Sequence, residues 1–184
     1  MNSVASPIVI EEYNPRWPSM YEEEKAQILA AIGEHIVGIE HIGSTSVPGL
    51  GSKPIIDLLA GVTDLSVVEL CIPPLKAIGY NYMPEYEQII SERRYFLKGS
   101  PDAQIAHLHI FQATNWMNRH ELLFRNYLRA HPQAAREYLE LKKQLAAKYG
   151  PDRTGYTAAK TDFVRSIIAR ALAEKSGKPP PAGE

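Results

Sequence analysis

Apolar residues along this chain change their spacing near its middle, dividing it into a strand-rich first part and a helical second part. Ile8-Val9-Ile10 reads as a short strand, followed by a turn over Tyr13-Asn14-Pro15-Arg16-Trp17-Pro18. From Met20 to Ile32, residues Tyr21, Ile28, Leu29 and Ile32 recur at helical spacing, with Ser19 and Glu22 placed as a capping box and Gly33 as a stop. Residues 36–42 read as a strand, 43–52 as a turn with a short helix, and 54–62 as a second, largely apolar strand. A helix is expected over 65–78, interrupted at Pro73-Pro74 because proline lacks the N–H a helix interior uses. Residues 91–98 and 105–111 alternate as paired strands, with Gly99-Ser100-Pro101-Asp102 as the turn between them. From Trp116 onward the period lengthens, and helices are expected over 118–130, 132–149 and 157–174, divided at His131-Pro132 and Gly150-Pro151. The pattern implies an α+β chain of one domain over 1–174, with a sheet core over 8–112 and a helical part over 116–174. The tract 175–184, rich in Lys, Gly and Pro, reads as a flexible tail.

Charge narrows the possible partners. Twenty basic residues face twenty-one acidic ones, so no global field draws the chain to nucleic acid or to an anionic membrane, and any anion site must be local. A nucleic-acid partner is therefore not expected. The single cysteine, Cys71, excludes a disulfide framework within the chain and a cysteine-based zinc site, and it fits a reducing compartment. The first residues lack a basic-then-apolar signal pattern and no run is long enough to cross a bilayer, so a cytoplasmic location is expected.

Candidate chemistry concentrates in residues 41–59. Gly43 permits close backbone approach, Ser44 and Thr45 offer hydroxyls and N–H donors, and Lys53 can reach a phosphate from the far end of the turn. The same residues also suit a plain strand-to-helix connection. Asp57 sits among Ile55, Ile56, Leu58 and Leu59, where a carboxylate must be paired, ligated, or placed at the open edge of the sheet. His107 and His109 lie two apart on one strand and so share a face, able to ligate one metal or to act as acid and base, while Leu108 and Ile110 point the other way. Arg93 and Arg94 point to opposite faces, so only one can join that site; the other suits a salt bridge with Glu92 or Glu87. In the helical part, His120, Arg125 and Arg129 form no clean stripe and read as solvated, whereas Tyr156, Lys160 and Phe163 align closely enough for Lys160 to reach a phosphate.

Several blocks together carry a family resemblance: Tyr13-Asn14-Pro15-Arg16-Trp17, Glu40 through Leu50, Lys53-Pro54-Ile55-Ile56-Asp57, Arg93-Arg94-Tyr95-Phe96, His107-Leu108-His109 and Phe124 through Pro132. On these blocks the chain resembles the GrpB family of the nucleotidyltransferase superfamily over residues 8–170. The resemblance implies a nucleotidyltransferase-like mixed sheet with packed helices and a helical C-terminal part. It also implies a pocket formed by the Gly-Ser turn, Asp57 and the histidine strand. Polymerase-beta-like transferases carry two acids on the strand after that turn and a third on a later strand. Here Asp57 matches one of the pair, Leu59 stands two residues on, and the histidine strand falls in the region of the third acid. Imidazoles in place of carboxylates favour softer divalent ions over Mg²⁺.

The expected function is transfer of a nucleotidyl or phosphoryl group on a nucleotide or other phosphorylated small molecule, with a divalent Mg, Mn or Zn ion held by Asp57, His107 and His109. Gly43, Ser44, Thr45, Lys53, Lys160 and one of Arg93 or Arg94 would hold the substrate anion. The alternative is a non-catalytic nucleotide- or anion-binding module on the same scaffold, and a hydrolase acting on another phosphate ester is a third reading.

Overall fold

The computed structural model describes residues 7–100, 103–114 and 116–177, and the chain divides into two compact units. One, the sheet unit, takes Asn14–Ser46 and Pro54–Trp116; the other, the helical unit, takes the N-terminal segment through Tyr13, Val47–Lys53 and the chain from Met117 onward.

In the sheet unit, strands β1 (Gly38–Ile42), β2 (Ile56–Val62), β3 (Tyr80–Tyr82), β4 (Arg93–Gly99) and β5 (Gln104–Gln112) form one sheet in the order β1-β2-β5-β4-β3. β2 and β5 run parallel and every other neighbour is antiparallel, giving the mixed α+β sheet expected from the sequence. Alternation sorts the side chains by face. Ile56, Leu58, Ala60 and Val62 of β2, with Ala106, Leu108 and Ile110 of β5, are fully buried. On that face lie α1 (Trp17–Ile32) and α2 (Val68–Ala77), whose Trp17, Ile28, Ile32, Val68, Cys71 and Leu75 complete the apolar layer. Each such aliphatic side chain contributes roughly 1.5–3 kcal/mol on burial. Polar ties fix α1 on this face: Lys98 Nζ donates to both carboxylate oxygens of Glu24 at 2.9 Å, and the Tyr80 hydroxyl donates to the same carboxylate at 2.8 Å. The Tyr21 ring stacks on His41 at 4.7 Å.

The opposite face carries Asp57, Leu59 and Gly61 of β2, and at its far end the backbone closes on an indole. A Cβ on Gly61 would stand 2.7 Å from the Trp116 ring and one on Gly38 would stand 3.6 Å from it, so small residues in both strands make the seat for Trp116.

The helical unit packs α3 (His120–Ala130), α4 (Pro132–Tyr149), α5 (Arg153–Ala159) and α6 (Thr161–Lys175) around Val47, Leu50, Leu128, Ala134, Tyr138 and Ile167. A smaller cluster joins Ile8, Leu145 and Tyr156. No helix among the described residues is long and apolar enough to cross a membrane.

Local structure departs from the expectations at four places. Ile8–Ile10 is not a strand: Ile8 N–H donates to the Gly150 carbonyl and Glu11 forms a single bridge with Ser52, so this segment follows the helical unit without a ladder. Helix α1 starts at Trp17, two residues before the expected Ser19 cap; Pro18 fits a first turn whose N–H groups have no helical partner, and Ser19 Oγ instead donates back to the Arg16 carbonyl at 2.8 Å. Pro73 and Pro74 lie inside α2 without breaking it. The carbonyls they leave unbonded belong to Glu69 and Leu70, both exposed, where water can serve them. The last expected helix is two, α5 and α6, meeting at Lys160. Of the expected 175–184 tail, Lys175 closes α6 and 178–184 lie outside the described residues, as do Pro101 and Asp102 of the hairpin turn.

Candidate metal centre

β2 and β5 pair in parallel with Asp57 opposite His107 and Leu59 opposite His109, so the three polar side chains share the sheet face away from α1 and α2. His107 Nδ1 lies 3.0 Å from Asp57 Oδ1 and His109 Nε2 lies 4.0 Å from the same oxygen. One ligand atom from each residue can be chosen so that all lie within 4.8 Å of one another. They are screened but not sealed, with side-chain exposures of 27% for Asp57, 15% for His107 and 17% for His109.

Supporting groups hold the two rings. Gln104, three residues before His107 on β5, reaches its Nε2 at 3.2 Å. The register of β4 sets Tyr95 opposite His109 and Leu97 opposite His107, and the Tyr95 ring lies 5.0 Å from the His109 ring and 5.5 Å from that of His107. Burial works to raise the Asp57 pKa, but the His107 hydrogen bond and the closeness of the His109 ring outweigh it and hold the carboxyl far below its usual range. Burial lowers the His109 pKa against the pull of Asp57, so at neutral pH the pair presents an ionised carboxylate beside a neutral imidazole. Burial also pushes the Tyr95 hydroxyl far up, keeping it a neutral phenol.

The Gly-Ser turn closes on this centre. Gly43 has φ +68°, and a Cβ there would stand 2.3 Å from Asp57 Oδ2, so only glycine lets the turn approach the carboxylate this closely. The following 3₁₀ turn, Ser44–Ser46, is tied by Ser46 Oγ donating to the Gly43 carbonyl at 2.6 Å. Ser44 is half-buried. Thr45 is 1% exposed, and its hydroxyl is used internally, donating to the Ile55 carbonyl at 3.2 Å and meeting His41 Nε2 at 3.0 Å.

Arg93 and Arg94 separate as the alternation requires. Arg93, on the same strand face as Tyr95, lies with its guanidinium 5.1 Å from the Tyr95 ring, whereas Arg94 turns to Glu87 at 3.2 Å and to the Ser91 carbonyl. Lys53 and Lys160 belong to the helical unit, where their ammonium groups stand 5.7 and 4.3 Å from one Tyr156 ring. Arg125, which reads from the sequence as solvated, is 7% exposed and donates to Asn126.

A model of the GrpB protein family matches residues 7–170. The chain belongs to the GrpB family. It is 39% identical over 166 residues to UPF0157 protein YqkA of Bacillus subtilis (strain 168), covering 90% of this chain and 48% of YqkA, so this GrpB chain spans about half the length of that relative. The crystal structure of conserved protein GrpB from Enterococcus faecalis superimposes with a TM-score of 0.82 at 40% identity, covering 91% of this chain and 99% of that one. A slighter likeness, TM-score 0.49 at 12% identity over 90% of this chain and 52% of the other, is to terminal uridylyl transferase 4 from Trypanosoma brucei with bound CTP, and one so slight settles no function.

Within this GrpB chain the sheet register exposes residues that sequence reasoning passed over. Glu40 pairs with Leu59 and so shares the face of Asp57 one strand away, near the position where a second acid on β2 would stand. Tyr95 and Gln104 reach the histidines only through the β4–β5 register, and an alternation test applied to residues 93–97 would have placed Tyr95 there.

Proposed function

We propose that this chain is a metal-dependent enzyme that transfers a nucleotidyl or phosphoryl group on a nucleotide or another phosphorylated small molecule. The observation that carries the reading is the convergence of Asp57, His107 and His109 beside the Gly43 turn. A carboxylate oxygen with two imidazole nitrogens suits Zn²⁺ or Mn²⁺ better than Mg²⁺, which favours all-oxygen shells. A bound divalent ion would supply charge neutralisation at the phosphate. The residues themselves do the rest. Asp57 stays ionised at neutral pH, His109 is neutral with a lone pair to offer, and Gln104 and Tyr95 fix the rings. The contact between His107 Nδ1 and Asp57 Oδ1 lies where a metal would sit, so binding an ion there has to open it. Ser44 and the turn N–H groups face the substrate anion in this reading, with the Gly43 carbonyl turned away to Ser46. Arg93 is the arginine of the pair on the site face.

The second reading, an anion-binding module without catalysis, is favoured by Leu59, fully buried where a paired carboxylate would be needed. Heat stability followed during titration with ATP and UTP, with and without Mg²⁺, Mn²⁺ or Zn²⁺, separates the two. The enzymatic reading expects a nucleotide shift that requires the ion and is lost in Asp57→Ala. An ion-independent shift that survives in Asp57→Ala leaves the module.

A further inference from the structure

Three exposed large apolar side chains, Tyr86, Ile89 and Ile90, fall in one short segment of the sheet unit. The segment is a 3₁₀ turn over Pro84–Gln88 with the residues after it, and it joins β3 to β4. The Tyr86 ring lies 5.0 Å from the Tyr95 ring, tilted by 58°, and the Tyr95 ring lies 5.0 Å from that of His109. Tyr95 is 8% exposed and Tyr86 38%, so Tyr86 is the outer ring of the pair. Two ring contacts thus lead from an open tyrosine to a candidate metal ligand. Exposed apolar side chains grouped beside a polar site mark a binding surface more often than singly scattered ones do.

The backbone under this ring is tied down. Met83 N–H donates to the Tyr95 carbonyl at 2.9 Å, Tyr86 N–H donates to the Met83 carbonyl at 3.2 Å, and the N–H groups of Ile89 and Ile90 both donate to the Tyr86 carbonyl at 3.2 Å. Glu87, the next residue, accepts from the Tyr82 hydroxyl and pairs with Arg94 at 3.2 Å, which commits this acid to β3 and β4. A tyrosine on a fixed backbone has two side-chain torsions left to order, so it offers a large contact area at low entropic cost. Covering Tyr95 uses only part of that area, because the two rings meet at a tilt rather than flat. Ile105, two residues before His107 on the same face of β5, is also exposed, so apolar surface borders the centre along β5 as well.

We infer that the Tyr86 ring is the platform on which the base of a nucleotide stacks while its phosphates meet the metal centre. The substrate class is then a nucleotide, not a phosphorylated sugar or another ester without an aromatic ring. The inference rests on the metal-centred reading above and narrows it. Two ring contacts of 5.0 Å separate Tyr86 from His109, a separation that a ribose bridges between base and phosphate. Every base has a π-face, so the platform selects for a base without choosing among bases. A sugar phosphate would set its hydroxyls against Tyr86, Ile89 and Ile90, where they gain nothing from the contact.

Titration calorimetry at pH 7.5 with Mn²⁺ present, using ATP, UTP and inorganic triphosphate as titrants, tests this. Wild type is expected to bind both nucleotides about 10-fold more tightly than inorganic triphosphate. Tyr86→Ala is expected to bring the nucleotides within about 2-fold of triphosphate, with the affinities for triphosphate and Mn²⁺ unchanged. Tyr86→Phe, which keeps the ring, is expected to keep the advantage, and Tyr86→Leu, apolar without a π-face, to lose it; this pair carries the test should the alanine variant misfold. Repeating the nucleotide titrations without Mn²⁺ and in Asp57→Ala separates failure here from failure at the metal centre: an advantage that depends on Tyr86 but on neither the ion nor Asp57 sustains the platform and counts against the metal centre alone. The inference is overturned if wild type binds the nucleotides no more tightly than inorganic triphosphate, or if Tyr86→Ala keeps the advantage. It is also overturned if wild type sediments as a dimer that Tyr86→Ala dissolves and ATP does not, which assigns the ring to a second copy of the chain.

Discussion

Replacing Gly43 by alanine tests how closely the turn and the metal centre are built together. Two costs follow from the geometry. At φ +68° a residue with a Cβ sits in the left-handed region, which costs roughly 1 kcal/mol relative to glycine. The new Cβ would also stand 2.3 Å from Asp57 Oδ2, well inside contact distance, so the carboxylate must swing away or the turn must shift. Either movement disturbs the 3.0 Å bond to His107, a charge-assisted contact whose loss costs roughly 1.5–3 kcal/mol. Together Gly43→Ala should lose about 2–4 kcal/mol, which for a chain of this size lowers the melting temperature by roughly 5–15 °C. The same movement should weaken Zn²⁺ binding at least 10-fold, because it displaces a ligand oxygen. Calorimetric melting with and without Zn²⁺ reads both effects. A variant that melts within 1–2 °C of wild type and keeps its Zn²⁺ affinity would refute the claim that this glycine exists to let the turn reach Asp57.

Other expectations are simpler. In phosphate-free buffer Lys142→Met should be more stable than wild type at pH 7 and below. The folded lysine titrates near 7 and the unfolded one near 10.5, so wild type should recover by at most about 1.4 kcal/mol per pH unit as pH rises from 7 toward 10, seen as converging denaturant midpoints. For Asp57 the sign is reversed: its folded pKa is depressed, so the stability advantage over Asp57→Asn should be full above pH 4 and shrink as pH falls below that, measured by urea unfolding at stepped pH. Gly61→Val should cost roughly 1–3 kcal/mol by overpacking Trp116, and tryptophan fluorescence should report the displaced ring; an unchanged midpoint and spectrum would contradict the packing.

Much of this arrangement was legible in the sequence, for stated physical reasons. Alternation alone put His107 and His109 on one face and split Arg93 from Arg94, since a strand has a period of two. An acid walled in by Ile55, Ile56, Leu58 and Leu59 pointed to a partner, and His107 supplies it. That partner lies fifty residues on, across a parallel pairing that no local pattern announces. Lys142 was invisible for a different reason: on an amphipathic helix rich in charge, one more lysine reads as surface, and only the packing of Gly51 and Tyr138 around it shows otherwise. Pro73 and Pro74 misled because the rule against helical proline assumes carbonyls with nowhere to turn, whereas Glu69 and Leu70 face water. Ser19 misled because the capping-box pattern competes with Pro18, which suits the first turn of a helix begun at Trp17.

The most direct measurement is Zn²⁺ and Mn²⁺ titration by calorimetry at pH 7.5 on wild type, Asp57→Ala and the double variant His107→Gln/His109→Gln. One ion per chain is expected in wild type, with affinity reduced at least 100-fold in both variants. Equal binding in all three proteins, or none in wild type, would contradict a metal centre at Asp57, His107 and His109.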